Sequence, residues 1–117
     1  MIELRKSPRI NVNWRAGIKL PDGRLMLGRA INLSAEGVLL LCPEHLTPLR
    51  TYTMLLEIPS INGSDEIYKV HCKASIRHAI LSGDAYRVGI QLSEMSQLHE
   101  ELVNAWFSKT AQTAVAK

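Results

Sequence analysis

Residues 10–20 read Ile10-Asn11-Val12-Asn13-Trp14-Arg15-Ala16-Gly17-Ile18-Lys19-Leu20, apolar at every second position. Successive side chains of a strand point to opposite faces, so a period of two marks a strand with one buried and one solvated face. A helix would return its apolar residues every three or four positions. Working outward, Pro21-Asp22-Gly23 supplies a turn, with Pro fixing φ and Gly permitting a positive one. A second strand follows over residues 25–33, where the alternation puts Leu25, Leu27, Ile31 and Leu33 on the inner face. Arg29 interrupts that face, and Gly28 beside it is a place for a bulge.

The same period recurs further on. A third short strand covers residues 38–42 and is stopped by Pro43. Tyr52, Met54, Leu56 and Ile58 mark a fourth. Ile67, Val70, Cys72, Ala74 and Ile76 mark a fifth, with one slip near Tyr68. After Ser82-Gly83-Asp84 come Tyr86, Val88, Ile90 and Leu92 on a sixth. Six short strands separated by turn signals predict a mainly β fold, a six-stranded antiparallel barrel. Then the period changes: Leu98, Leu102, Ala105 and Trp106 recur at helical spacing, with Ser93 or Ser96 available as the N-cap. The reading is one C-terminal α-helix over an open end or side of the barrel. The expected boundaries are one domain over residues 1–109, with an arm at 1–9, the barrel at 10–92 and the helix at 93–109. Residues 110–117 are expected to form a flexible tail.

The 117 residues suffice for one domain and its core. Fourteen Lys and Arg against 11 acidic residues leave a net charge of +3, too slight for the long basic stripe of a duplex binder. The excess is local: Arg5, Lys6 and Arg9 lie together near the N-terminus, as suits a small anion. Two cysteines make no disulfide framework and fit a reducing cytoplasm. The first residues have no apolar signal-peptide core, and the longest apolar run, residues 38–42, is too short for a bilayer, so no membrane insertion is expected.

Two local constellations carry chemistry. Arg5-Lys6-Ser7-Pro8-Arg9 places two arginines four apart, and Pro8 biases Ser7 away from helix, so the segment is an extended or turning arm. Asn32-Leu33-Ser34-Ala35-Glu36-Gly37 leaves the second strand. With Leu33 inward, Asn32 and Ser34 share the outer face, where an amide and a hydroxyl can both address the polar edge of a planar ring. Gly37 provides for a chain reversal or a close backbone approach. These two stretches, in this order, resemble the PilZ family, whose pattern is R-x-x-x-R before the first strand and [D/N]-x-S-x-x-G after the second. Tyr86-Arg87-Val88-Gly89-Ile90-Gln91-Leu92 followed by a helix is similar to the family's closing strand and terminal helix.

The resemblance implies a bacterial receptor for cyclic di-GMP. Arg5 and Arg9 would meet guanine or phosphate, Asn32 and Ser34 would read one guanine, and Gly37 would serve the backbone. On binding, the surface would change and regulate an unidentified downstream protein. Arginine suits this ligand because its planar fork can pair with guanine O6 and N7, stack on a purine, or clamp phosphate. The implied protein is a monomer or weak dimer that needs no cofactor. Arg77 is a further candidate: counted from the inward residues of the fifth strand it faces outward, to stack on a guanine or to stand as a plain surface arginine. Leu4, preceding the first motif arginine, points to one ligand per chain where an arginine would hold a second.

Other readings carry less. His71 and Cys72 point to opposite faces and no metal-ligand spacing exists, so no metal site is expected, and Cys42 and Cys72 read as core. Serines, histidines and acids occur without an activating context, so no enzyme activity is expected. A PilZ-like module that binds protein but no nucleotide is the alternative, opposed by the intact motifs. A nucleic-acid barrel would want outward aromatics, whereas Trp14 and Trp106 fall on apolar seams.

Overall fold

In a computed structural model describing residues 9–34 and 37–115, the chain forms six strands and one helix. They are β1 (Arg9–Lys19), β2 (Leu25–Ser34), β3 (Gly37–Cys42), β4 (Thr51–Pro59), β5 (Ile67–Ser82), β6 (Ala85–Ser93) and α1 (Gln97–Val115). The strands close into an antiparallel barrel in the order β1-β2-β3-β6-β5-β4, and β1 pairs with β4 to complete the ring. The expected six-stranded barrel with a C-terminal helix is what forms.

The inward residues are largely those of the alternation. Ile10, Trp14, Ala16 and Ile18 of β1 are buried with Val38, Leu40 and Cys42 of β3. Tyr52, Met54, Leu56 and Ile58 of β4 join them, as do Val70, Cys72, Ala74 and Ile76 of β5. Both cysteines are core residues, and burial pushes the Cys72 thiol up to about 11. Leu20 and Gly23 close the β1–β2 turn: Gly23 N donates to Leu20 O at 2.9 Å, with Gly23 at a φ of 90°.

Three phases differ from the alternation. In β2 the inner face carries Met26, Ala30 and Leu33, while Leu25 and Leu27 stand 58% and 62% exposed. The cause is a bulge: Ala30 pairs with Leu40 but Asn32 with Leu39, so Ile31 is an extra residue that resets the phase between Ala30 and Leu33. The bulge is therefore not at Gly28. That residue is needed for another reason, because a Cβ there would lie 2.8 Å from Leu41 O and 3.2 Å from Cys42 Cβ. In β5 the phase starts at Tyr68, leaving Ile67 59% exposed.

The third difference is at the helix. Leu98 is 67% exposed, and the seam against the barrel is Leu102, Val103 and Trp106, with Met95 just before the helix. Ser96 is the cap: His99 N donates to its Oγ at 3.2 Å and Glu100 N to its carbonyl at 2.9 Å. The helix thus starts after residue 96 and runs to Val115, past the expected end at 109, with no Gly or Pro to stop it. Trp106 fastens it. Its Nε1 donates to Pro59 O at 2.8 Å, and its ring meets Trp14 edge-on with centroids 5.8 Å apart. Among the described residues no helix is long and apolar enough to cross a membrane.

Candidate ligand-binding site

Strand pairing brings the second motif to the outside of the barrel. Arg9 lies opposite Ser34, and Ser34 opposite Gly37, so the start of β1, the end of β2 and the start of β3 form one outward row. The next row is longer. Asn11 faces Asn32, Asn32 faces Leu39, Leu39 faces Gly89, and Gly89 faces His78, crossing five strands.

Between these rows lies an open groove of about 650 Å³. Arg9, Asn32 and Ser34 line one side, Arg77 and Gln91 the other, and His78 lies over Gly89. The floor is low because Gly37 and Gly89 have no side chains there. A Cβ at Gly37 would collide with the carbonyl oxygen of Ile90 and lie 3.2 Å from Gln91 Cα. Gly37 is therefore a requirement of the close β3–β6 approach.

Arg77 reaches the groove through a second irregularity. Ile76 pairs with Ile90 but His78 with Gly89, so Arg77 is the extra residue of a bulge. The β4 ladder ends beside it: Leu49 N donates to Ile76 O at 2.8 Å and Ile76 N to Arg50 O at 2.9 Å. Arg77 Nη1 then donates to Gln91 Oε1 at 2.8 Å, which aims the guanidinium along the far wall.

The electrostatics are simple. Two arginines line the groove, and its described lining contains no carboxylate. Among the described residues the ion-paired arginines lie elsewhere: Arg15 is 3.9 Å from Glu57, and Arg24 donates to Asp22 at 2.7 Å and to Glu44 at 3.1 Å, a pairing that holds the Asp22 carboxyl below the usual carboxylate range. A groove whose described lining combines two arginines, an amide and a hydroxyl suits a flat anionic ligand with polar ring edges. Among the described residues no cluster of three or more His, Cys, Asp or Glu could hold a metal.

Of the residues expected from the sequence, Arg9, Asn32, Ser34, Gly37 and Arg77 line this one groove. Arg5 and the rest of the arm before Arg9 lie outside the described residues, as do Ala35 and Glu36. The sequence reading missed Leu39, His78, Gly89 and Gln91. A glycine centred in an otherwise apolar strand, Val88-Gly89-Ile90, was a usable signal, since strand glycines often mark a close approach.

Fold and groove together define the class: a small closed β-barrel with an arginine-walled recess on its outer surface. The chain belongs to the PilZ domain family, whose sequence profile matches residues 3–109. Solved structures share its fold. That of the Bacillus subtilis inhibitor of motility MotI (DgrA) has a TM-score of 0.71 at 14% identity, covering 99% of this chain and 54% of that one. Escherichia coli YcgR in complex with c-di-GMP gives 0.69 at 17% identity, covering 98% and 50%. The PilZ domain of YcgR with c-di-GMP gives 0.61 at 17% identity, covering 98% and 99%. The chain thus spans about half the length of the first two proteins. No curated protein matches it by sequence.

Proposed function

We propose that the outer groove binds cyclic di-GMP and that the chain is a receptor, passing the ligand's arrival to a partner protein in the bacterial cytoplasm without chemical change. The observation that carries this reading is the convergence of Arg9, Asn32, Ser34 and Arg77, from three different strands, on one groove with no carboxylate among its described lining residues. The family and the c-di-GMP held by the two YcgR structures support it.

Arg9, together with Arg5 from the preceding segment, meets phosphate or the O6/N7 edge of a guanine by charge-assisted hydrogen bonds. Asn32 and Ser34 read the remaining polar groups of that base. Arg77, already aimed by Gln91, supplies the far contact. The arm that leads up to Arg9 is the switch: bound phosphate cancels the mutual repulsion of Arg5, Lys6 and Arg9, and the arm set against the ligand makes a new surface for the partner. Leu4 before the first motif arginine favours one ligand per chain.

Titration calorimetry with cyclic di-GMP tests the reading, with the adenine analogue, GTP and a single-stranded oligonucleotide as controls. We expect binding of cyclic di-GMP at one per chain. We also expect rejection of the adenine analogue, which lacks O6 and N2 and would leave groove donors and acceptors unpaired. An absence of heat with cyclic di-GMP would refute the reading and leave the protein-interaction module in its place.

A further inference from the structure

The bulge at Arg77 does more than turn one arginine outward. In an unbroken ladder Ile76 and His78 would share the inner face. The extra residue cancels one alternation, so Ile76 is 1% exposed while His78 stands outside, opposite Gly89. The imidazole then uses the space that Gly89 leaves open. A Cβ at Gly89 would collide with Nε2 of His78 and lie 2.6 Å from Cε1 and 3.0 Å from Cδ2. The ring therefore reaches from β5 over β6 and becomes part of the groove floor.

Its surroundings suit a base. Asn32 lies in the same row as Gly89, separated from it only by Leu39. Two ladder steps are roughly 10 Å, the span of a purine together with a hydrogen bond at its edge. Arg77 and Gln91 stand beside the ring.

We infer that His78 is a ligand-contacting residue of the groove, its imidazole being the platform for a purine whose polar edge meets Asn32 and Ser34. Gly89 is its positioning residue, since only the absence of a side chain there lets the ring lie on the floor. The inference rests on the reading of the groove as a cyclic di-GMP site and adds the residue that takes the base's face.

The test is calorimetry with cyclic di-GMP on the parent, His78→Ala, His78→Phe, Gly89→Ala and the double variant His78→Ala/Gly89→Ala. Loss of an aromatic platform weakens binding about tenfold or more, within the range of base–aromatic stacking. His78→Phe, which keeps a ring, stays within about threefold of the parent if stacking is the role. Gly89→Ala weakens binding by displacing the imidazole. In the His78→Ala background the same change adds nothing, because the ring it disturbs is gone. Parental affinity in His78→Ala, or full additivity in the double variant, overturns the platform while leaving the cyclic di-GMP reading intact. A parent that binds no cyclic di-GMP overturns both.

Discussion

Trp106 is the residue on which the docking of α1 turns, and two substitutions separate its contributions. Trp106→Phe removes the Nε1 donor to Pro59 O, a 2.8 Å hydrogen bond, and keeps a ring against Trp14. One neutral hydrogen bond contributes about 1 kcal/mol net. Trp106→Ala also removes the edge-on ring pair, worth about 1 kcal/mol beyond its burial, together with the burial itself. Trp→Ala changes in cores cost about 3–5 kcal/mol, and the half-buried position puts this one near the lower end, about 3 kcal/mol. Because the ring fastens a helix and not the barrel wall, the loss falls on local opening of α1 before global unfolding.

Hydrogen exchange of amides 101–106 reads that opening directly. The expected acceleration over the parent is about fivefold for Trp106→Phe and about 150-fold for Trp106→Ala, by the usual factor of ten per 1.4 kcal/mol. Amides of β4 and β5 should change far less. Identical helix exchange in the parent and both variants would show that α1 is held by something other than this indole, and the reasoning would fail.

Three further outcomes follow from the groove and the core. Arg9→Ala, like Arg5→Ala, removes charge-assisted bonds of roughly 1.5–3 kcal/mol each and should cost tenfold or more in calorimetric affinity for cyclic di-GMP with an unchanged thermal midpoint; equal titrations would make these arginines plain solvated charges. Gly37→Ala forces a Cβ onto the Ile90 carbonyl, where backbone cannot easily yield, so urea unfolding should show a loss of about 1–3 kcal/mol; an unchanged midpoint would deny the tight β3–β6 approach. Burial raises the Cys72 thiol from its ordinary 9.0 to about 11, so the unfolded chain ionises first and this contribution is whole below pH 9 and fades towards pH 11; the fall in stability over that interval should be shallower in Cys72→Ala, and equal slopes would sink the assignment.

How much of this was legible in the sequence depends on what alternation alone can record. β4 follows its period throughout, and the inward Tyr52, Met54, Leu56 and Ile58 stood plainly in the sequence. The motif pair led to Arg9, Asn32, Ser34 and Gly37, because local chain order already places Asn32 and Ser34 on one face. β2 misled, since Leu25 and Leu27 look like core yet face outward, and the phase is reset by an extra residue visible only through its partners. Leu98 misled similarly, because helical spacing does not say which arc of the helix meets the barrel. His78 was illegible for the same reason as Leu25. Counting from Ile76 sends it inward, and only pairing with Gly89 reveals the bulge that turns it out.

These irregularities are connected. The ladder shifts between Asn11 and Trp14, between Ala30 and Asn32, and between Ile76 and His78; the last two border the groove, and the first begins at the residue opposite Asn32. A regular barrel of this sequence would keep strict alternation, bury His78 and set Asn32 in phase with the buried Met26 and Ala30. At these two places the broken count keeps the inner face apolar while turning Asn32 and His78 outward. The same corner reaches the helix. A smaller recess of about 270 Å³ is bordered by Ser34, Gly37 and Leu92, all groove residues, and by Glu100, Val103 and Asn104 of α1. Ser34 and Gly37 thus face the groove on one side and the helix on the other. The groove and the Trp106-held helix therefore meet through the same two residues, Ser34 and Gly37.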